Sequence, residues 1–129
     1  MSLSILVVDD DRPVRLMLRR LFEPHGFRVL LADSAITARE LLETEGPNLV
    51  ISDVVMPGES GIELRHEIAR RWPDLTVILI SGFSPQDPAR VVEEVPNTHF
   101  LPKPFAADGL LDLVFALIGR PVVEDAARS

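Results

Sequence analysis

The sequence predicts an α/β domain built on a parallel sheet with helices on both faces. Five short apolar runs alternate with five stretches of helical periodicity. The longer runs are continuous rather than alternating, as strands buried on both faces require. Four of the five lead directly into chemically capable side chains: Asp9 and Asp10, Asp53, Ser81, and Lys103. Parallel strands bring those ends to one edge, where an open α/β sheet keeps its ligand crevice.

Ile5, Leu6, Val7 and Val8 form the first strand, and Asp9, Asp10 and Asp11 follow without a spacer. Pro13 suits the first turn of a helix that Asp11 is placed to cap. Val14, Met17, Leu18, Leu21 and Phe22 recur at the spacing of a one-faced helix, with Arg15, Arg19 and Arg20 read as its solvated side. Pro24 and Gly26 stop it, and residues 27–31 are the second strand. Ser34 caps a helix to about residue 45 with Ala38, Leu41 and Leu42 inward, and Gly46-Pro47 ends it.

Residues 49–52 are the third strand, running into Asp53. After a loop over 56–61, Ile62, Leu64, Ile68 and Trp72 line a helix that Pro73 and Asp74 end. Residues 75–80, the longest apolar run, read as a central strand that finishes at Ser81-Gly82. Three prolines, Pro85, Pro88 and Pro96, leave room only for a short helix near 89–95. Residues 99–101 make a short fifth strand before Pro102-Lys103-Pro104. Leu110, Leu111, Val114, Leu117 and Ile118 form the last amphipathic helix. One domain is expected over 1–119, followed by a flexible polar tail over 120–129.

Composition excludes several classes. The chain has 129 residues, enough for one core, and is 47% hydrophobic and 26% charged, a globular balance. No apolar run approaches the roughly 20 residues that span a bilayer, and no signal peptide opens the chain, so a membrane is not an expected partner. The absence of cysteine excludes disulfides and thiolate metal sites and agrees with a cytoplasmic address. A net charge of −7, from 13 basic and 20 acidic residues, argues against a nucleic-acid surface.

The strand-end residues form a coherent chemical set. Two like charges about 4 Å apart repel by roughly 4 kcal/mol at an effective dielectric near 20, a cost that a cation relieves. Asp10 and Asp53 can give oxygens to a hard cation and Asp9 can hold one of its waters, which suits Mg²⁺. Asp53 is also a potential nucleophile toward a phosphoryl group. Lys103 and Ser81 would then meet oxygens that the cation does not, since such transfer depends on positioning and neutralisation.

The segments ILVVDDDRPVR, LVISDVVMPGESGIEL, VILISGF and FLPKPF resemble the receiver domains of bacterial two-component response regulators. They occur in family order over residues 3 to about 118. The resemblance implies a doubly wound, flavodoxin-like sheet of strand order 2-1-3-4-5. It implies phosphorylation of Asp53 by a histidine kinase or phosphotransfer domain. Mg²⁺ would be bound by Asp10, Asp53 and the main-chain carbonyl of Val55, with Asp9 acting through water. Ser81 would be the switch hydroxyl, Phe100 the switch aromatic and Lys103 the phosphate-binding lysine. A cis Lys103–Pro104 peptide is also implied. The switched surface would be the last helix–strand–helix region, read by a separate output protein, by the rest of a hybrid kinase, or by a second copy in a dimer.

Some positions depart from the commonest family pattern. Glu59-Ser60 stands where Met-Asp is frequent, and Gly82 where alanine is. Val55 offers no polar side chain to orient a water against an acyl phosphate, whose lifetime stays open. His99 has the side chain of a phosphorelay donor and reads as a strand-edge residue, while Phe83 stays open between core and partner contact. One competing class is a small phosphohydrolase with a strand-end aspartate. Such enzymes commonly carry a second aspartate where this chain has Val55. Another is a degenerate receiver that only binds partners, against which the full Asp9, Asp10, Asp53, Ser81 and Lys103 set argues. The expected chemistry is therefore limited to the domain's own phosphorylation and dephosphorylation.

Overall fold

In a computed structural model, which describes residues 3–82 and 88–121, the five apolar runs become strands β1 (Ser4–Val8), β2 (Arg28–Ala32), β3 (Leu49–Asp53), β4 (Thr76–Ser81) and β5 (Thr98–Pro102). They pair in parallel in the order β2-β1-β3-β4-β5. Helices α1 (Arg12–Phe22), α2 (Ala35–Glu45), α3 (Gly61–Arg71) and α4 (Pro88–Glu94) make the crossovers, and α5 (Ala107–Ile118) follows the last strand. The expected doubly wound fold is the observed one. Phe83 and the tail from residue 122 lie outside the described residues, as do Met1 and Ser2.

The continuous apolar strands follow from cover on both faces. In β1, Leu6 and Val8 join a core with Ala38 and Leu42 of α2, Leu64 and Ile68 of α3, and Val91 of α4. Ile5 and Val7 join the opposite core with Leu18 and Phe22 of α1 and Leu110 and Val114 of α5. Successive side chains point to opposite faces, so a strand between two helical layers must be apolar at each position. β4 is an interior strand, paired with β3 on one side and β5 on the other, as its long apolar run predicts.

Serine side chains cap the starts of α2 and α3. Ser34 Oγ accepts from the Thr37 N–H at 3.3 Å, and Ser60 Oγ from the Glu63 N–H at 3.1 Å. Gly46 leaves α2 at φ +56, a conformation that glycine adopts without a side-chain clash. Asp11 differs from expectation: it holds the N-cap position of α1, yet its side chain makes no capping bond. Trp72 sits at the end of α3, half-exposed, with the Arg71 guanidinium 4.4 Å from its ring centre.

One residue was not anticipated as core. Arg65 on α3 is 0% exposed. Its Nη1 donates to the carbonyls of Leu75 at 3.1 Å and Asn97 at 3.5 Å, beside the starts of β4 and β5. Nε and Nη2 have no hydrogen-bond partner among the described residues. Burial pushes the guanidinium pKa below its ordinary value, because the charged form loses hydration. Replacing a buried charge by an apolar chain of similar length is often neutral or stabilising. Arg65→Met is therefore expected to leave the urea midpoint unchanged or raised, whereas Arg65→Ala, which also opens a cavity, lowers stability by about 2–5 kcal/mol. Chemical denaturation of the three proteins checks this. An Arg65→Met loss as large as that of Arg65→Ala would show that the cation itself stabilises the fold.

Candidate functional site

The sheet reverses its winding between β1 and β3, and the ends of those adjacent strands hold the acids. The Asp9 N–H continues the ladder past β1 by donating to Ala32 O at 3.0 Å. That bond carries the Asp9 side chain into the protein, 1% exposed, while Asp10 stands in solvent. Asp9 Oδ1 accepts from the Asp11 N–H at 2.9 Å, which explains why Asp11 turns inward at its backbone rather than capping α1. Arg15, expected on the solvated side of α1, instead reaches back: its Nη1 donates to Asp9 O at 2.6 Å. The half-turn between β1 and α1 is thus pinned from both sides.

Asp53 ends β3 and is 8% exposed. Its Oδ1 faces the Val55 N–H at 3.4 Å, and its carbonyl accepts from Ser52 Oγ at 2.9 Å. The Gly61 N–H donates to Val54 O at 2.8 Å and draws the start of α3 against the end of β3. A Cβ on Gly61 would stand 2.0 Å from the Asp53 carbonyl oxygen, so only glycine permits this approach. Sequence reading treated Gly61 as a loop residue. Its position just after the Ser60 cap was the available signal.

The other two strand ends complete the site. Ser81 is buried at the end of β4, in register with Pro102. The Lys103 N–H donates to Ser81 O at 3.0 Å, which ties the two residues through the sheet. The Lys103–Pro104 peptide is cis, as the resemblance implied. Lys103 Nζ lies 3.7 Å from Asp9 Oδ2 and 3.6 Å from Asp53 Oδ2, between the two buried acids. Phe100, in register with Leu79, is half-buried and packs against the core that contains Val91 and Val95. His99 is half-buried on the edge strand β5, in line with its reading as a strand-edge residue. Val55 is 49% exposed, its side chain at the surface beside the acids.

Asp9, Asp10 and Asp53 each bring a carboxylate oxygen within 4.8 Å of the others. Burial pushes the Asp9 pKa up, and the Asp53 and Asp10 charges add to it, against the Asp11 N–H and Lys103. The Asp53 pKa is raised by burial too, with Lys103 and the Val55 N–H opposing. The cation of Lys103 thus offsets only part of the cost. Asp9 Oδ2 is buried with no hydrogen-bond partner among the described residues. An all-oxygen set with a surplus of negative charge and an orphaned acceptor fits a hard divalent cation. No helix among the described residues is long and apolar enough to cross a membrane.

Comparison with known proteins agrees with this geometry. A family model described as the response regulator receiver domain matches residues 5–115. Response regulator MprA of Mycobacterium bovis is 35% identical over 129 residues, covering 100% of this chain and 56% of that protein. The protein of the same name from Mycobacterium leprae is 33% identical over 98% of this chain and 56% of its own length. The chain therefore spans about half the length of the curated relatives it matches. A response regulator receiver protein from Pseudomonas putida superposes with a TM-score of 0.83 at 31% identity, covering 90% of this chain and 98% of that one. The signal receiver domain of an HD domain-containing protein from Pseudomonas fluorescens Pf-5 gives 0.83 at 28% identity, covering 92% and 95%.

The raised acid pKa values carry a stability consequence. The folded chain binds these protons more tightly than the unfolded chain. Their contribution is therefore fully present below the ordinary carboxylate pKa and is lost as pH rises through the raised folded values. Asp53→Asn keeps the shape of a neutral acid and leaves Asp9 to pair with Lys103. In chelator at pH 7 it should raise the thermal midpoint by a few degrees, on the scale of about 3–6 °C per kcal/mol for a domain of this size. The gap between variant and parent should shrink as pH falls toward about 4. Melts at both pH values check this, and a variant less stable than the parent at pH 7 would contradict it.

Proposed function

The chain belongs to the response regulator receiver domain family, and on that footing we propose that Asp53 is its phosphoacceptor. It is a receiver domain of a two-component system, a signalling unit rather than an enzyme of turnover. The observation that carries the proposal is Lys103 Nζ, 3.6 Å from Asp53 Oδ2 at the mouth of the acidic pocket. An Asp53 oxygen attacks the phosphorus of a phosphohistidine on a histidine kinase or phosphotransfer domain. A P–O bond forms as the P–N bond breaks, and the imidazole keeps the electron pair.

The chain's own residues supply positioning and charge. Lys103 neutralises one phosphoryl oxygen, and its present place between two anions supports that role. The Val55 N–H, facing Asp53 Oδ1, restricts the carboxylate's rotation. Mg²⁺ would be held by Asp10, Asp53 and the Val55 carbonyl, with Asp9 through a water, and when bound it supplies further neutralisation of the transferred group. The three convergent carboxylates and the orphaned Asp9 Oδ2 support this assignment.

In the same reading Ser81 gives its hydroxyl to a phosphoryl oxygen, and its inward shift leaves room that Phe100 fills. The half-buried ring at the edge of the core near α4 supports a two-position side chain. Such coupling alters populations only through differential affinity for the two states. The α4-β5-α5 surface would then signal to an output protein, the rest of a hybrid kinase, or a second copy of the chain. With those partners its work is cytoplasmic, by one receiver unit over 1–119. A phosphohydrolase would commonly carry a second acid where the exposed apolar Val55 stands, which counts against turnover.

Incubation with acetyl phosphate and Mg²⁺ should add a single phosphoryl mass to the parent and none to Asp53→Asn. Lys103→Gln should slow the labelling by about 10²-fold or more, the scale of losing one preorganised charge contact. Intact-mass spectrometry reads both. Equal labelling of the parent and Asp53→Asn would overturn the assignment.

A further inference from the structure

The loop between β3 and α3 is the part of the pocket least supported by the sheet. Its base is closed by the Gly61 N–H on Val54 O at 2.8 Å, and Gly58 turns its tip at φ +79. Its first residues carry the Val55 N–H that faces Asp53 Oδ1 at 3.4 Å. Toward the other end, Glu59 leaves the loop sideways and pairs with Arg39 Nη2 on α2. The same guanidinium uses Nε to bind Glu67 Oε1 of α3 at 2.6 Å. Glu67 Oε2 in turn accepts from Arg71 at 3.1 Å, and Arg71 returns to Glu43 on α2.

Arg39, Glu59 and Glu67 are all partly buried, so salt screens them less than an open surface pair. Burial works against the Glu67 charge, yet Arg39 and Arg71 hold its pKa below the ordinary glutamate value. A planar fork with donors fixed at an angle can serve a loop carboxylate and a helix carboxylate at once, which a single ammonium does poorly.

We propose that Arg39 is a positioning residue for the acidic pocket, fastening through Glu59 the loop whose backbone meets the Asp53 carboxylate. The proposal rests on the reading of that pocket as the Mg²⁺ and phosphoryl site. A loop released from α2 populates its binding-competent shape less often, and apparent affinity falls by that fraction.

The test uses Arg39→Gln, Glu59→Gln and the double variant, with Glu43→Gln as a network control that does not touch the loop. Two quantities are read: the Mg²⁺ dissociation constant by calorimetry, and amide hydrogen exchange over residues 55–60 in chelator. Each single variant should weaken Mg²⁺ and speed loop exchange by about 2- to 5-fold, the range one ion pair supports. The double variant should be no worse than the weaker single one, because both break the same contact. Glu43→Gln should change neither quantity. A pure field effect makes a different forecast, since removing the Glu59 charge weakens Mg²⁺ while removing the Arg39 charge tightens it. Opposite shifts, multiplicative losses, or unchanged loop exchange would overturn the clamp. If the parent itself binds no Mg²⁺, the metal reading fails instead, and loop exchange alone decides for or against Arg39.

Discussion

The structure is organised around an unfavourable contact: carboxylates held together at the ends of two adjacent parallel strands. Asp9, Asp10 and Asp53 converge within 4.8 Å, two of them buried, with Lys103 Nζ no nearer than 3.6 Å to either buried acid. Hydrophobic burial elsewhere keeps them there. β1 and β3 are buried along their whole length, and slipping either by one residue would exchange the side chains that meet the two differently shaped cores. The core thus sets the positions of the acids, and their mutual repulsion is a cost the fold carries.

Around that fixed pair the structure grades from rigid to adjustable. Gly61 brings α3 against the Asp53 carbonyl with no room for a methyl group, so the base of the β3–α3 loop cannot drift far. The rim is held by side chains instead. Arg15 pins the β1–α1 turn by the Asp9 carbonyl, and Arg39 ties the β3–α3 loop to α2. On the far side Phe100 lies at the margin of its core, half-buried on the edge strand β5.

Much of this was legible in the sequence because its signals are local. Continuous apolar runs marked strands covered on both faces, and Ser34 and Gly46 marked the ends of α2. The acids stood directly after their strands, so their shared edge followed once the sheet was parallel. What stayed hidden depends on partners distant in sequence. Arg15 and Arg39 have the spacing of solvated arginines, and only the tertiary fold brings Asp9 O to the first and Glu59 and Glu67 to the second. Arg65 breaks the rule that charge marks the wet face of a helix, since its stem and head are both enclosed. Asp11 sits at the N-cap of α1, yet its carboxylate makes no capping bond.

The most direct measurement is a carbon-13 carboxyl NMR titration of Asp9 and Asp53 in the metal-free protein, repeated with Mg²⁺. If crowding and burial outweigh Lys103, both groups titrate above the ordinary aspartate value of 3.8, and both move down when Mg²⁺ is added. Titration of either group at or below 3.8 in chelator, or no response to Mg²⁺, would contradict the account.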